Sequence, residues 1–119
     1  MRALFGEDSE RVLANTERLS PGLAPVVREL VFGALYGRPG LDLKTRQLVT
    51  VVALAALGTC APQLELHLRA ARNLGWTRGE LVEALTQLAV YAGFPAALNA
   101  LALLDSDGKP RGEVHADAR

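Results

Sequence analysis

Hydrophobic residues along most of this chain recur three and four positions apart, a spacing that places them on one face of a helix. The clearest example begins at Thr77, because Glu80 three residues later completes a capping box and leucines and alanines then repeat at helical steps. Glycine and proline interrupt the pattern and mark where one helix ends and the next begins. The predicted helices cover residues 6–19, 20–36, 42–58, 62–74, 77–92 and 95–104.

One predicted helix is apolar on nearly every side. Between Leu48 and Leu57 only Thr50 interrupts the hydrophobic residues, and this run is far shorter than the ~20 residues that a membrane span needs. We therefore interpret it as a buried helix. A chain of 119 residues has little other surface to cover such a helix, so we expect a second subunit to cover it and the protein to be a homo-oligomer.

Composition favours the same all-helical interpretation. Leucine (22) and alanine (19) supply over a third of the chain, isoleucine is absent and aromatic residues make up 5%, a balance typical of helices rather than of β-branched strands. The expected fold class is all-α, a small bundle of five to six helices joined by short turns. We expect a single domain over residues 1–104, with its core at about 20–104, and a mobile polar tail over residues 105–119.

The charge pattern excludes several classes of partner. Thirteen basic and thirteen acidic residues cancel, and no run of Lys or Arg occurs, so nucleic acid is not an expected partner. No stretch is long enough to span a membrane. The acidic start lacks the basic end and apolar run of a signal peptide, which predicts a cytoplasmic protein.

Candidate chemistry lies around the start of the helix at 62–74. Cys60, Gln63 and His67 differ by three and four positions, so they share one face if the helix reaches back to Cys60. A helix N-terminus favours the thiolate, the reactive form of cysteine, and an imidazole in the same pocket could move protons. The alternative is that Cys60 is a small turn residue and His67 a satisfied histidine at the edge of the apolar stripe. With one cysteine and two histidines, neither an internal disulfide nor a metal site is expected.

Two further polar pairs are weaker candidates. Gln87 and Tyr91 lie four positions apart beside an apolar stripe, and they either line a pocket or touch solvent at its edge. Glu65 and Arg69 also lie four positions apart, and we interpret them as an ion pair on an outer face. The second histidine, His115, falls in the polar tail and is expected to be inert.

Four segments, read together, resemble the carboxymuconolactone decarboxylase family, which is part of the alkylhydroperoxidase D-like superfamily. The segments are GRPGL at 37–41, TRQLVT at 45–50, HLRAA at 67–71 and YAGFPAA at 91–97. The resemblance covers about residues 30–101. It implies an all-helical subunit that assembles into trimers or hexamers, with a pocket where subunits or helices meet.

One branch of the superfamily decarboxylates 4-carboxymuconolactone to an enol-lactone in aromatic catabolism, without a metal or organic cofactor. On this resemblance His67 is the candidate acid and Arg38 or Arg46 the candidate carboxylate anchor, in a lyase that needs no cofactor. Two positions depart from that branch, because Ala34 stands where an acidic residue is common and Gln87 where a histidine is common. A small carboxylate or lactone is the implied substrate.

The other branch contains thiol peroxidases with a Cys-x-x-Cys-x-x-x-His motif. Cys60 and His67 match that motif, whereas Gln63 replaces its second cysteine and Gln47 replaces the glutamate of its proton relay. An intramolecular disulfide is then impossible, so a peroxiredoxin-type activity would have to proceed through a sulfenic acid and an external thiol. The third possibility is an oligomer that binds a ligand without catalysis.

Overall fold

The computed structural model describes residues 1–107, and every regular element in that range is a helix. The predicted all-α fold is confirmed, and each predicted helix has a counterpart. The short first helix is an addition that the hydrophobic pattern does not predict. The elements are α1 (Arg2–Phe5), α2 (Asp8–Leu19), α3 (Leu23–Val26), which continues directly as a π-helix (Val27–Leu35), α4 (Leu43–Leu57), α5 (Ala61–Asn73), α6 (Arg78–Ala92) and α7 (Phe94–Asp105).

The main core lies among the last four helices. Helix α4 packs against α5, α6 and α7, and α7 also packs against α5 and α6. Leucine and alanine fill the space between them, at the three- and four-residue steps seen in the sequence, so burial follows the predicted stripes. The buried residues of this core are Val51, Ala55, Leu64, Leu68, Ala71, Leu81, Leu85, Leu88, Ala100 and Leu104.

Local signals set the ends of these helices. The Asp42 carboxylate accepts a hydrogen bond from the Thr45 backbone N–H at 2.7 Å and so caps α4. Helix α4 ends at Gly58, whose φ of 75° is a left-handed conformation that glycine adopts without strain. Thr77 and Glu80 form the predicted capping box at the start of α6. The ends of α4 and the start of α6 are therefore set by residues nearby in the sequence.

A single copy of the chain leaves part of α4 uncovered. Val51 and Ala55 face the core, whereas Val49, Ala53 and Leu57 are exposed on the opposite side. Helix α4 is therefore apolar on its exposed side as well as on its buried side, as the sequence predicts. Other large apolar side chains are exposed as well: Leu19, Leu23, Val26, Leu30, Leu35, Leu41, Val90, Tyr91, Phe94 and Leu98.

The first 36 residues form an arm that attaches to the bundle mainly through α1. Leu4 and Phe5 of α1 are buried against Ala70 of α5, and α1 packs on α5 along its length. Farther along the arm, the Glu17 carboxylate accepts the backbone N–H of Gly22 at 2.8 Å and so stabilises the start of α3. The arm is therefore held against the bundle at its first residues, for which the sequence predicts no helix.

The second half of the arm is a π-helix rather than the predicted α-helix. The Tyr36 backbone N–H donates to the Val31 carbonyl at 2.9 Å, a bond that spans five residues. Glycine is required where this helix ends, because a Cβ at Gly37 would lie 2.5 Å from the Gly33 carbonyl oxygen. Leu30 is 63% exposed and none of the nine residues of the π-helix is fully buried, although Phe32 packs against the buried cluster of Leu4, Phe5 and Ala70.

The last described residues are held against the bundle. Asp105 pairs with Arg78 at 2.7 Å, and Asp107 pairs with Arg72 at 3.6 Å. The rest of the predicted tail, including His115, lies outside the described residues. Within residues 1–107, no helix has the length and apolar character that crossing a membrane requires.

Candidate functional site

The buried Gln47 of α4 and the half-buried His67 of α5 form a hydrogen-bonded pair. Gln47 is 0% exposed, and its side-chain Nε2 lies 2.8 Å from the His67 backbone carbonyl oxygen and 2.8 Å from His67 Nδ1. The carbonyl oxygen can only accept, so it fixes the orientation of the amide and leaves the second N–H of Gln47 to donate to Nδ1. His67 Nδ1 is therefore unprotonated, and the ring proton of the neutral imidazole lies on Nε2.

The surroundings of His67 keep its ring neutral. The ring is largely buried, and the Phe5 ring lies edge to face with it at 5.1 Å between centroids. Burial lowers the pKa of His67 from 6.5 to about 4, because the charged imidazolium loses its hydration. Within residues 1–107, Nε2 makes no hydrogen bond. At neutral pH the site thus presents an uncharged imidazole with a free N–H.

A second polar chain runs along α4 beside this pair. The Tyr36 hydroxyl bonds to the Thr50 hydroxyl, which in turn donates to the Arg46 carbonyl at 3.1 Å. The Arg46 guanidinium donates from Nη2 to the Arg38 carbonyl at 3.1 Å. These bonds hold the end of the π-helix and the loop after it against the start of α4. Both candidate anchors, Arg38 and Arg46, therefore lie in one connected region.

Two buried polar atoms of this region have no hydrogen-bond partner among the described residues. They are Arg46 Nε and Gln47 Oε1, from consecutive residues of α4. A buried donor and a buried acceptor without partners are costly, and such groups commonly bond to water or a ligand. Arg46 thus has one donor that no described residue satisfies.

Cys60 and Gln63 lie in different surroundings from His67. Cys60 is the residue that precedes α5, and it lines a small cavity of about 30 Å³ between α4, α5 and α7. Gln63 is exposed and lines an open cleft of about 510 Å³ between α2 and α5. His67 lines neither cavity. Helix α5 forms as expected. In a single copy of the chain, however, Cys60, Gln63 and His67 do not line a common cavity.

The remaining candidates lie on exposed surfaces. Gln87 is exposed on α6, and Tyr91 is 82% exposed near its end, beside the exposed Phe94 of α7. Glu65 and Arg69 form the expected ion pair at 3.5 Å, and Arg69 also pairs with Asp8 of α2. Within residues 1–107, no group of three or more His, Cys, Asp or Glu side chains is arranged to hold a metal ion.

Phe5 belongs to this region, although no sequence pattern predicts it there. Its ring contacts His67 although 62 positions separate the two residues in the chain. No periodic pattern links a four-residue helix to a site so far along the sequence. The available signal is the pair of adjacent apolar residues, Leu4 and Phe5, in an otherwise polar start.

Replacing Gln47 by glutamate is expected to raise the pKa of His67 from about 4 by about two units or more. A carboxylate at this position accepts from Nδ1–H, which exists in the imidazolium, whereas the Gln47 amide can only donate to the unprotonated nitrogen. The measurement is the pH titration of the His67 ring by NMR in a His115→Asn background, which leaves one histidine signal. A pKa that stays near 4 would contradict the assigned direction of the Gln47–His67 hydrogen bond.

Comparisons with known proteins agree on one family. The model of the carboxymuconolactone decarboxylase family matches residues 16–106. The chain is 35% identical to 4-carboxymuconolactone decarboxylase of Acinetobacter baylyi over 86% of this chain and 75% of that protein. It is 34% identical to nitrosuccinic acid decarboxylase of Metarhizium robertsii over 82% of this chain and 68% of that protein. It is 37% identical to an uncharacterised 15.0 kDa protein of Paracoccus denitrificans over 76% of this chain and 68% of that protein. The chain therefore belongs to the carboxymuconolactone decarboxylase family.

Proposed function

We propose that this protein is a cofactor-free decarboxylase of a small carboxylate, with His67 as its central catalytic residue. The observation that carries the proposal is the neutral His67 ring, whose Nδ1 is occupied by Gln47 and whose Nε2–H is free. The two relatives that are named for a reaction are both decarboxylases, of 4-carboxymuconolactone and of nitrosuccinic acid. A lactone carboxylate of the first kind is the substrate we favour.

The chemistry of such a substrate requires a hydrogen-bond donor rather than a strong base. The bond between the ring carbon and the carboxylate breaks, CO₂ leaves, and the electron pair moves through the ring to the lactone carbonyl oxygen. The resulting enolate is then protonated on carbon to give the enol-lactone, with water as the source of the proton. A neutral Nε2–H aimed at the carbonyl oxygen stabilises the charge as it develops.

This role differs in one respect from the one expected for His67 on the sequence resemblance, where it is a proton-donating acid. With a pKa of about 4, His67 carries a second proton in only a small fraction of molecules at pH 7. Donation of the single Nε2 proton to carbon would leave an imidazolate, which Gln47 cannot neutralise. The His67 ring is therefore proposed to stabilise the enolate oxygen and to keep its proton.

Arg46 is proposed to anchor a carboxylate of the substrate. Its side chain is half-buried and makes one hydrogen bond within the described residues, from Nη2 to the Arg38 carbonyl, and guanidinium groups bind carboxylates through two parallel hydrogen bonds. Arg38 contributes positive charge from the adjacent loop. Gln47 is fully buried, so its proposed contribution is to orient His67 rather than to touch the substrate.

The active assembly is proposed to be a homo-oligomer, a trimer or hexamer, in the cytoplasm. The exposed apolar residues on α4, on the π-helix and at the junction of α6 and α7 are the surfaces that such an assembly would cover. Gln63, Gln87 and Tyr91 are exposed in one copy. In this proposal they line the pocket only where a neighbouring subunit meets them.

The test compares lactone decarboxylation and hydroperoxide reduction in the wild-type protein and in Cys60→Ser. We expect CO₂ release from 4-carboxymuconolactone by both proteins. The kcat of Cys60→Ser is expected to lie within about twofold of wild type, because Cys60 lines a cavity that His67 does not line. Reduction of cumene hydroperoxide with dithiothreitol, lost in Cys60→Ser, would instead establish the one-cysteine peroxidase. Turnover of neither substrate, nor of nitrosuccinate, would overturn the proposal in favour of a binding oligomer.

A further inference from the structure

Helix α1 lies outside the part of the chain that the family model matches. That match begins at residue 16, whereas α1 covers Arg2–Phe5. Even so, Leu4 and Phe5 are among the most buried residues of the chain, at 1% and 4% exposure. A segment that precedes the family domain is thus built into its interior.

The buried face of α1 is directed at the His67 site. The Phe5 ring lies between the Phe32 ring, at 5.4 Å and 77°, and the His67 ring, at 5.1 Å and 78°. Both arrangements are edge-to-face contacts, which are attractive and fix ring orientation. Phe5 therefore links the π-helix to His67 and covers part of the imidazole.

Helix α1 is held in this position at both of its ends. The Ser9 hydroxyl donates to the Met1 carbonyl at 3.4 Å, and the Asn73 side chain at the end of α5 donates to the Leu4 carbonyl at 3.5 Å. Leu66 of α5 and Leu74, the residue after α5, pack against the same cluster. The position of Phe5 over His67 is thus supported by polar and apolar contacts together.

Several charged groups of the surrounding helices are engaged in other contacts. Burial is the cause of the lowered pKa of His67, and Phe5 supplies part of that burial. The Tyr36 hydroxyl, on the side of the π-helix, bonds to Thr50. The pairs on the packed helices are Arg2 with Glu10, Arg69 with Asp8 and Glu65, and Lys44 with the Trp76 ring.

We propose that Phe5 is a positioning residue for His67, and that α1 is thereby a part of the site that lies outside the family domain. The proposal rests on the function assigned to His67 above. Phe5 touches no reacting atom in this scheme. It fixes the plane of the imidazole and excludes water from one side, so that the Nε2–H keeps one direction and the ring stays uncharged.

The test is the protonation of His67 in Phe5→Leu and Phe5→Ala, both in the His115→Asn background. The matched control is Phe32→Leu, which removes an aromatic ring from the same cluster without a ring contact to His67. We expect the pKa of His67, followed by NMR, to rise by at least about one unit in Phe5→Ala and by about half as much in Phe5→Leu. In Phe32→Leu it stays within about 0.3 units of its starting value.

The experiment measures folding and the pKa of His67 independently. Phe5→Leu keeps most of the buried volume, so it remains informative if Phe5→Ala does not fold, and circular dichroism reports on folding in each variant. A folded Phe5→Leu protein with an unchanged pKa, or a Phe32→Leu protein with an equal shift, would overturn the proposal. Because the titration requires no substrate, its result does not depend on whether His67 proves to be catalytic. Where decarboxylation is measurable, we expect kcat to fall in Phe5→Leu with KM nearly unchanged.

Discussion

Replacement of His67 by asparagine is expected to lower kcat for decarboxylation by about 10²- to 10³-fold, the loss typical of removing one donor to a developing oxyanion. The Oδ1 atom of asparagine lies close to where Nδ1 of histidine lies, so it continues to accept from Gln47 and the local fold is kept. What the variant loses is the N–H at the far side of the ring. KM is expected to change little, because the lost bond strengthens only as charge develops.

A second substitution at the same position separates two roles for the imidazole. Glutamine places its amide near the position of Nε2, so His67→Gln retains a neutral donor but cannot transfer a proton to carbon. If His67 acts by hydrogen bonding, as proposed, His67→Gln keeps kcat within about tenfold of wild type while His67→Asn does not. Equal losses in the two variants would show that the ring transfers a proton. His115→Asn is the matched control and is expected to have wild-type activity.

The sequence predicts the bundle well because the signals for its helices are local. Thr77 and Glu80 begin α6 three residues apart, and Asp42 begins α4 with a bond to Thr45. Each of these contacts involves a few neighbouring residues, and so do the apolar stripes that decide which face is buried. The π-helix is not predicted from the sequence. Its hydrogen bonds from residue i to i−5 and the exposure of its leucines depend on how the first 36 residues pack against the bundle.

The site is predicted only in part because its contacts join distant residues. The spacing of Cys60, Gln63 and His67 predicts one shared helix face, whereas the surroundings of Cys60 and Gln63 come from α2, α4 and α7. Sequence resemblance singles out Gln47 as a replaced glutamate. The Gln47 amide donates two N–H groups to one histidine, His67. This contact depends on the close approach of α4 to α5, which the sequence does not show.

Stability is expected to depend on pH through His67. In the folded protein burial holds the pKa of His67 at about 4, whereas in the unfolded chain it returns to 6.5. Between these values the unfolded state binds more protons than the folded state, so protonation favours unfolding. The free energy of unfolding is therefore highest above pH 6.5 and falls as pH decreases toward 4. The full difference of 2.5 units corresponds to about 3 kcal/mol, an order-of-magnitude figure.

Urea denaturation at fixed protein concentration from pH 7.5 to 4 measures this dependence, with His67→Gln as the variant that cannot titrate. Wild type is expected to lose most of the ~3 kcal/mol across that range, and the variant to lose little above pH 4.5. Asp42 and Glu80 do not imitate the effect. Capping contacts lower the pKa of each below its ordinary value, 3.8 for Asp42 and 4.5 for Glu80, so their contributions begin to be lost only as pH falls toward and below those values. An equal slope in wild type and His67→Gln would show that the ring is hydrated in solution, and burial would then not be what keeps the proposed donor uncharged.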